Sequence, residues 1–196
     1  MKRLKWLLLL FLTTIMSCKK SNPQTNKEES YFPNNIGNKY VYSVTDTAAN
    51  STYNLTVAIV GQASIGSKHV TIWTYTFPTN IDTNYVYANV DSVVFYDKTK
   101  TSIVNVYHLP IIVGAEWRNK FNADTSKVVS NLNLTINAGT FDNAYLIQDN
   151  AHAPNYFLDR SQWYIPNVGL VKLKIREINL GAITSQSWEL IQYQLQ

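Results

Sequence analysis

The sequence predicts an all-β protein: a single curved antiparallel sheet forming an open half-barrel of roughly 10–12 strands, with little helix. A β-sandwich is the alternative arrangement of the same strands. Three observations carry this. Apolar and polar residues alternate with a period of two in short stretches, each bounded by Gly, Asn, Asp or Pro. The alternation leaves one face wet, as where Val171, Leu173 and Ile175 alternate with Lys172, Lys174 and Arg176, which belongs to antiparallel sheet rather than to the continuously apolar strands of a doubly wound fold. Beyond the N-terminal leader, no segment sustains an apolar stripe of helical period. Aromatic residues make up 13% of the chain and include 13 Tyr, which suits a pleated, half-buried surface.

In chain order, Met1 to Lys5 is basic, and Trp6 to Ile15 is a run of about ten mostly apolar residues, the length of a signal-peptide core and too short to span a bilayer. The run ends Ile15-Met16-Ser17-Cys18, which resembles the bacterial lipoprotein box. The resemblance implies that residues 1–17 are a signal peptide and that Cys18 becomes the acylated N-terminus. Several acyl chains on one residue would meet the requirement that stable anchoring needs more than a single chain. Of 17 Lys+Arg set against 13 Asp+Glu, Lys2, Arg3 and Lys5 lie in this leader, so the remainder is close to neutral and carries no nucleic-acid footprint. A single cysteine excludes a disulfide framework and a cysteine-based metal site.

Residues 18–34 read as a lipid-anchored flexible tether. Lys19 to Ser30 contains no aliphatic side chain to offset the entropy of ordering. At about 5–6 Å × √n, it would hold the domain roughly 20 Å from the bilayer, with Lys19 and Lys20 drawn to anionic headgroups at about 1 kcal/mol each. Lys19 stands where enteric inner-membrane lipoproteins carry aspartate, and Lys-Lys-Ser-Asn does not resemble the acidic surface-export stretch of Bacteroidota. The expected location is therefore the periplasmic face of the outer membrane, with the cell surface as the alternative.

Residues 35–196 read as one β domain. Strands are predicted at Lys39–Thr45, Thr52–Val60, Lys68–Phe77, Tyr85–Ala88, Ser92–Tyr96 and Ser102–Tyr107, then Glu116–Phe121, Lys127–Asn137, Asn143–Asp149, Tyr156–Ile165, Leu170–Asn179 and Ser187–Leu195. An internal echo punctuates them. Phe32-Pro33 with Ile36-Gly37 and Tyr40 has the same skeleton as Leu109-Pro110 with Val113-Gly114 and Trp117, and Ile165-Pro166 with Val168-Gly169 is a partial third copy. Proline removes a ladder donor and glycine accepts a positive φ, so each copy reads as a turn that delivers an aromatic residue to a strand start.

These segments, together with Ala138-Gly139-Thr140-Phe141 and the stretch from Trp163 through Pro166 and Gly169 to Lys172, resemble uncharacterised secreted lipoproteins common in Bacteroidota. Those are similar in turn to the half-barrels of Lol-type lipoprotein carriers. The resemblance implies a curved sheet and brings no activity with it. Tyr40 and Asn167 depart from the Trp and Gly usual at those positions. In the stretch that starts at Trp163, both Trp163 and Ile165 are expected to point inward.

Chemistry-bearing patterns are sparse. His69, His108 and His152 lack the spacing of a helical metal pair, and His152 with Asp149 has no nucleophile elbow beside it, so no catalytic residue, metal ligand or cofactor is assigned. Asp46-Thr47-Ala48 and Asp91-Ser92-Val93 resemble the O-glycosylation acceptor of Bacteroidota, which makes Thr47 and Ser92 the candidates. Trp73, Tyr75 and Phe77 on one strand face, and Tyr85 and Tyr87 on another, are the expected ligand-facing aromatics, since flat apolar rings with a polar edge suit sugars or apolar ligands. The function expected is that of a non-catalytic envelope lipoprotein, structural or binding an apolar or glycan ligand on the concave face. A small hydrolase or a glycan-binding accessory protein is the alternative.

Overall fold

The computed structural model describes residues 30–118 and 125–196. The predicted signal peptide, Cys18 and the tether through residue 29 lie outside the described residues, as does the end of the strand predicted to reach Phe121. Among the described residues there are twelve strands: β1 (Lys39–Asp46), β2 (Ser51–Ile65), β3 (Lys68–Thr76), β4 (Ile81–Ala88), β5 (Ser92–Tyr96), β6 (Ile103–His108), β7 (Glu116–Arg118), β8 (Thr125–Ile136), β9 (Gly139–Ala153), β10 (Tyr156–Ile165), β11 (Gly169–Asn179) and β12 (Ala182–Gln194). No helix occurs among the described residues.

All twelve belong to one antiparallel sheet in the order β6-β5-β4-β3-β2-β1-β12-β11-β10-β9-β8-β7. It is a meander joined at its middle, where β1 pairs with β12 from Lys39↔Gln194 to Asp46↔Gln186. The single sheet sets aside the sandwich. Irregularities in register at Val41/Tyr42, Ile59/Gly61, Phe95/Tyr96, Val128/Ser130, Leu132/Leu134 and Trp163/Tyr164 punctuate the ladders. Each increases local twist and bends its strand, and together they curl the sheet into a nearly closed barrel. The edges β6 and β7 are stitched by a side chain: Trp117 Nε1 donates to the Val106 carbonyl at 2.9 Å, and its ring lies 5.6 Å from that of His108.

Alternation assigns the two faces. Val44, Leu55, Ile147, Val171 and Leu190 are wholly buried in the interior, and each contributes about 1.5–3 kcal/mol by leaving water. On β10 the interior residue is Tyr164, not Trp163. The Trp163 ring lies on the outside, 5.9 Å from the Lys172 ammonium, which corrects the expectation that it points inward. Ile165 does join the core.

The meander puts the hairpins after β2, β4, β8 and β10 and the β6–β7 connection at one end of the barrel, and those after β1, β3, β5, β9 and β11 at the other. The first end is plugged. Tyr31 and Phe32, predicted to belong to the flexible tether, are buried there. The Phe32 ring centroid lies 4.7 Å from that of Tyr107 and 4.8 Å from that of Tyr164, and Tyr31 meets Tyr145 edge-on at 5.3 Å. The boundary at residue 34 is therefore corrected. The aromatic pair at the end of the polar segment has apolar area enough to fold back into the barrel, while the polar residues before it do not.

The sequence echo is also an echo of structure. Gly37 and Gly114 have φ of +94° and +92°. Gly37 N–H donates to the Ile59 carbonyl, and the Asn38 carbonyl accepts from Ile59 N–H; Gly114 and Ala115 make the same two bonds with Val128. Each turn thus hooks onto the neighbouring strand and delivers a buried aromatic, Tyr40 or Trp117. The third copy is the β10–β11 hairpin, where Gly169 has a φ of +102° and a Cβ there would stand 3.3 Å from Pro33 Cδ. Glycine is needed at that position twice over, for its backbone conformation and for the plug's close approach.

Candidate functional site

Between the plug and the opposite end runs a cavity of about 260 Å³, just below the roughly 300–1,000 Å³ usual for small-molecule sites. Its walls are mainly aromatic: Phe32, Tyr40, Tyr42, Trp73, Tyr107 and Trp188 are among them. The strands deliver these rings by parity. Tyr40 and Tyr42 are on one face of β1, Trp73 and Tyr75 on the same face of β3, and pairing of Trp73 with Asn84 carries that face into β4. Burial raises the phenol pKa of Tyr40, Tyr42, Tyr75 and Tyr164 well above the ordinary value, and pushes that of Tyr107 up to about 12. All five are neutral donors at physiological pH.

A chain of hydrogen bonds occupies one wall. Arg160 Nε and Gln162 Nε2 each donate to Asp149 Oδ2 at 2.6 Å. Gln162 Oε1 accepts from the Tyr107 hydroxyl at 2.6 Å and from the Tyr164 hydroxyl at 3.2 Å, and Asn105 Nδ2 donates to the Tyr107 oxygen at 2.7 Å. Asp149 is 1% exposed, and its Oδ1 has no hydrogen-bond partner among the described residues. Burial is the largest single influence and works against the Arg160 charge, but the adjacent Asp149 carboxylate together with Tyr107 and Tyr164 more than offsets it and holds the guanidinium above its ordinary range. An ion pair in an apolar barrel is costly to bury and is weak evidence of a stabilising role. Among the described residues Arg160 is the one charged side chain in the cavity lining. Nearer the open end, Trp188 Nε1 donates to Gln186 Oε1 at 3.0 Å, and Gln186 Nε2 donates to Asp46 Oδ2 at 2.8 Å.

The five predicted aromatics divide. Trp73 and Tyr75 line the cavity, and Trp73 Nε1 donates to Asn34 Oδ1 at 2.8 Å, tying the plug to β3. Phe77 packs against Tyr53, ring centroids 6.4 Å apart. Tyr85 and Tyr87 are corrected: they alternate with the interior residues Asn84 and Val86 and lie on the outer face. There the Lys100 ammonium sits 4.4 Å from the Tyr85 ring centroid, and the Lys68 ammonium sits 5.1 Å from that of Tyr87 while donating to the Tyr96 hydroxyl at 2.9 Å. They form an outer cation–π cluster.

Thr47 is exposed at the open end with its hydroxyl 2.7 Å from Ser185 Oγ, and Ser92 is half-buried at the start of β5 with its hydroxyl donating to Asn89 Oδ1 at 3.2 Å. His69, His108 and His152 lie on β3, β6 and β9. His152 projects outward against Phe157, ring centroids 5.0 Å apart, while Asp149 on the same strand faces inward to Arg160. The two do not form a pair, and no cluster of metal-ligating side chains occurs among the described residues. Arg160 and Gln162 were not picked out from the sequence, and Asp149 was considered there only beside His152. Their signal was parity: Asp149 shares a strand face with Ile147, and Arg160 and Gln162 share one with Tyr164.

No protein-family model matches the chain, and no curated protein does. Two solved structures are similar. One is a candidate lipoprotein of Parabacteroides distasonis, 15% identical, with a TM-score of 0.50 over 85% of this chain and 99% of that one. The other is a candidate exported protein of Bacteroides fragilis with a YmcC-like fold, 15% identical, with a TM-score of 0.44 over 83% of this chain and 98% of that one. At that identity the first likeness speaks to the fold alone.

Proposed function

We propose that this chain is a lipid-anchored envelope protein, acylated at Cys18, which holds an apolar ligand inside its barrel and performs no chemistry on it. The observation that carries the reading is the aromatic cavity, about 260 Å³ of space between the plug and the open end. A gap of that size is many times the roughly 30 Å³ share of one water, and rings lining it on several strands offer apolar faces with few polar anchors, the composition of a small-molecule site. The lipoprotein box supports the anchor, Lys19 in place of aspartate supports the outer membrane, and the non-acidic Lys-Lys-Ser-Asn stretch supports its periplasmic face, with the cell surface as the alternative.

Native mass spectrometry of the protein extracted gently from its membrane tests the ligand. A co-purifying apolar molecule that is lost when a bulky side chain fills the bore, as in Leu173→Trp, is the expected result. A bare protein would remove the ligand reading, and a co-purifying oligosaccharide would replace it with the glycan one. For the anchor, Cys18→Ala is expected to abolish labelling by a fatty-acid probe.

A further inference from the structure

We propose that the ligand is an amphiphile with an anionic head, its head held by Arg160 towards the open end and its apolar body lying along the aromatic bore. The proposal rests on the cavity being a ligand site and names the class of molecule that fits it.

The first argument is the state of the guanidinium. Arginine has five N–H donors in a planar fork. In Arg160 the Nε–H is used on Asp149, and no other hydrogen bond or ion pair of this side chain occurs among the described residues. The side chain is 17% exposed and lines the cavity. Asp149, 1% exposed and itself held by Gln162, fixes the guanidinium from one side, so its orientation is set before a ligand arrives. Unmatched donors on a preorganised cation suit a carboxylate or a phosphate monoester, which take two parallel N–H bonds from such a fork.

The second argument is position. Arg160 pairs with Ile175 on β11, and both line the cavity, as does Gly169 at the plugged end. Six residues of strand separate Ile175 from Gly169, about 20 Å, or about 15 Å along a barrel axis at the usual tilt. The Arg160 backbone therefore lies on the open-end side of the bore, with Asp149, Gln162, Tyr107 and Tyr164 linking its guanidinium towards the Phe32 plug. A ligand with one charged end and an apolar body matches that asymmetry. A cationic ligand would meet Arg160 with like charge, and a wholly apolar one would leave its donors unsatisfied.

The test uses the full-length protein and displacement of the fluorescent polyene cis-parinarate by palmitate, by hexadecyl phosphate and by hexadecanol, three probes that share a chain and differ in the head. The charged heads are expected to bind about tenfold or more tighter than the alcohol, the usual margin of a charge-assisted hydrogen bond. The tighter of palmitate and hexadecyl phosphate names the head as carboxylate or phosphate. Removing Arg160 alone would strand the Asp149 carboxylate, so the variant is the double substitution Arg160→Gln with Asp149→Asn, in which that margin is expected to vanish while the alcohol still binds. Equal affinity for acid and alcohol in the native protein would overturn the proposal and leave the apolar cavity standing. Failure of all three probes to displace cis-parinarate, or of cis-parinarate to bind, would overturn the cavity reading with it.

Discussion

The two ends of the barrel are made of the same kind of antiparallel hairpin, yet one is filled and the other is not. At the filled end, Tyr31 and Phe32 enter between the strands, Asn34 takes a hydrogen bond from Trp73, and Asn35 and Asn38 clasp Gln196 at 2.9 and 2.8 Å. At the other end the side chains facing the bore change in character, to Arg160, Asn84, Thr184 and Gln186, and no segment plugs it among the described residues. The difference lies in what the chain brings to each end. Aromatic residues beside Pro33 supply a plug with little entropy to lose, whereas polar residues on strand ends leave a wet rim. Stability belongs to the filled end, and the proposed ligand would enter by the open one.

That division breaks most visibly at Phe32. Phe32→Ala is expected to cost about 3–5 kcal/mol in a urea melt, while Ile183→Ala at the open end, where Ile183 is 59% exposed, should change stability by less than about 0.5 kcal/mol. Comparable losses at the two sites would mean that the ends are not energetically distinct. A second expectation concerns alkali. The phenol of Tyr107 titrates near 12 when folded and near 10 when unfolded, so the folded state retains a proton that the unfolded state gives up. Stability is then unaffected below about pH 10 and falls from there to about pH 12, by on the order of 2 kcal/mol for Tyr107 alone, with the other raised phenols adding to it. Thermal melts against pH, with phenolate absorbance recorded alongside, check the sign. Smaller still is the seam. Trp117→Phe keeps the ring and loses the bond to Val106, for about 1 kcal/mol, with faster amide exchange confined to β6 and β7. Smallest is the outer cluster, where Lys100→Ala should cost about 0.5–1 kcal/mol and leave ligand binding unchanged.

The strand pattern was largely legible in the sequence, because a one-sided sheet writes its register into alternation. The exceptions have physical causes. Val60 is the extra residue where β2 shifts register between Ile59 and Gly61, so what reads as a strand end is a bulge inside a longer strand. Asn143, at a φ of +59°, interrupts β9 in the same way, and its predicted start there is an internal irregularity. The plug escaped because Tyr31 and Phe32 follow a polar stretch and alternate with nothing. Two of the five aromatics expected at the site line the cavity, since alternation within β3 is local information. The inward or outward choice for Tyr85 and Tyr87 was not, because it depends on pairing Trp73 with Asn84 across a hairpin. The Asp149–Arg160 pair was hidden for a similar reason: only the β9–β10 register sets the two side by side.

The bridge between Trp117 and Val106 differs in kind from every other junction around the circumference. Eleven neighbouring strand pairs are laced by main-chain ladders, whereas among the described residues this one is fastened by an indole on a carbonyl and on the His108 ring. Breaking that clasp would cost one side-chain hydrogen bond while every main-chain ladder stays paired.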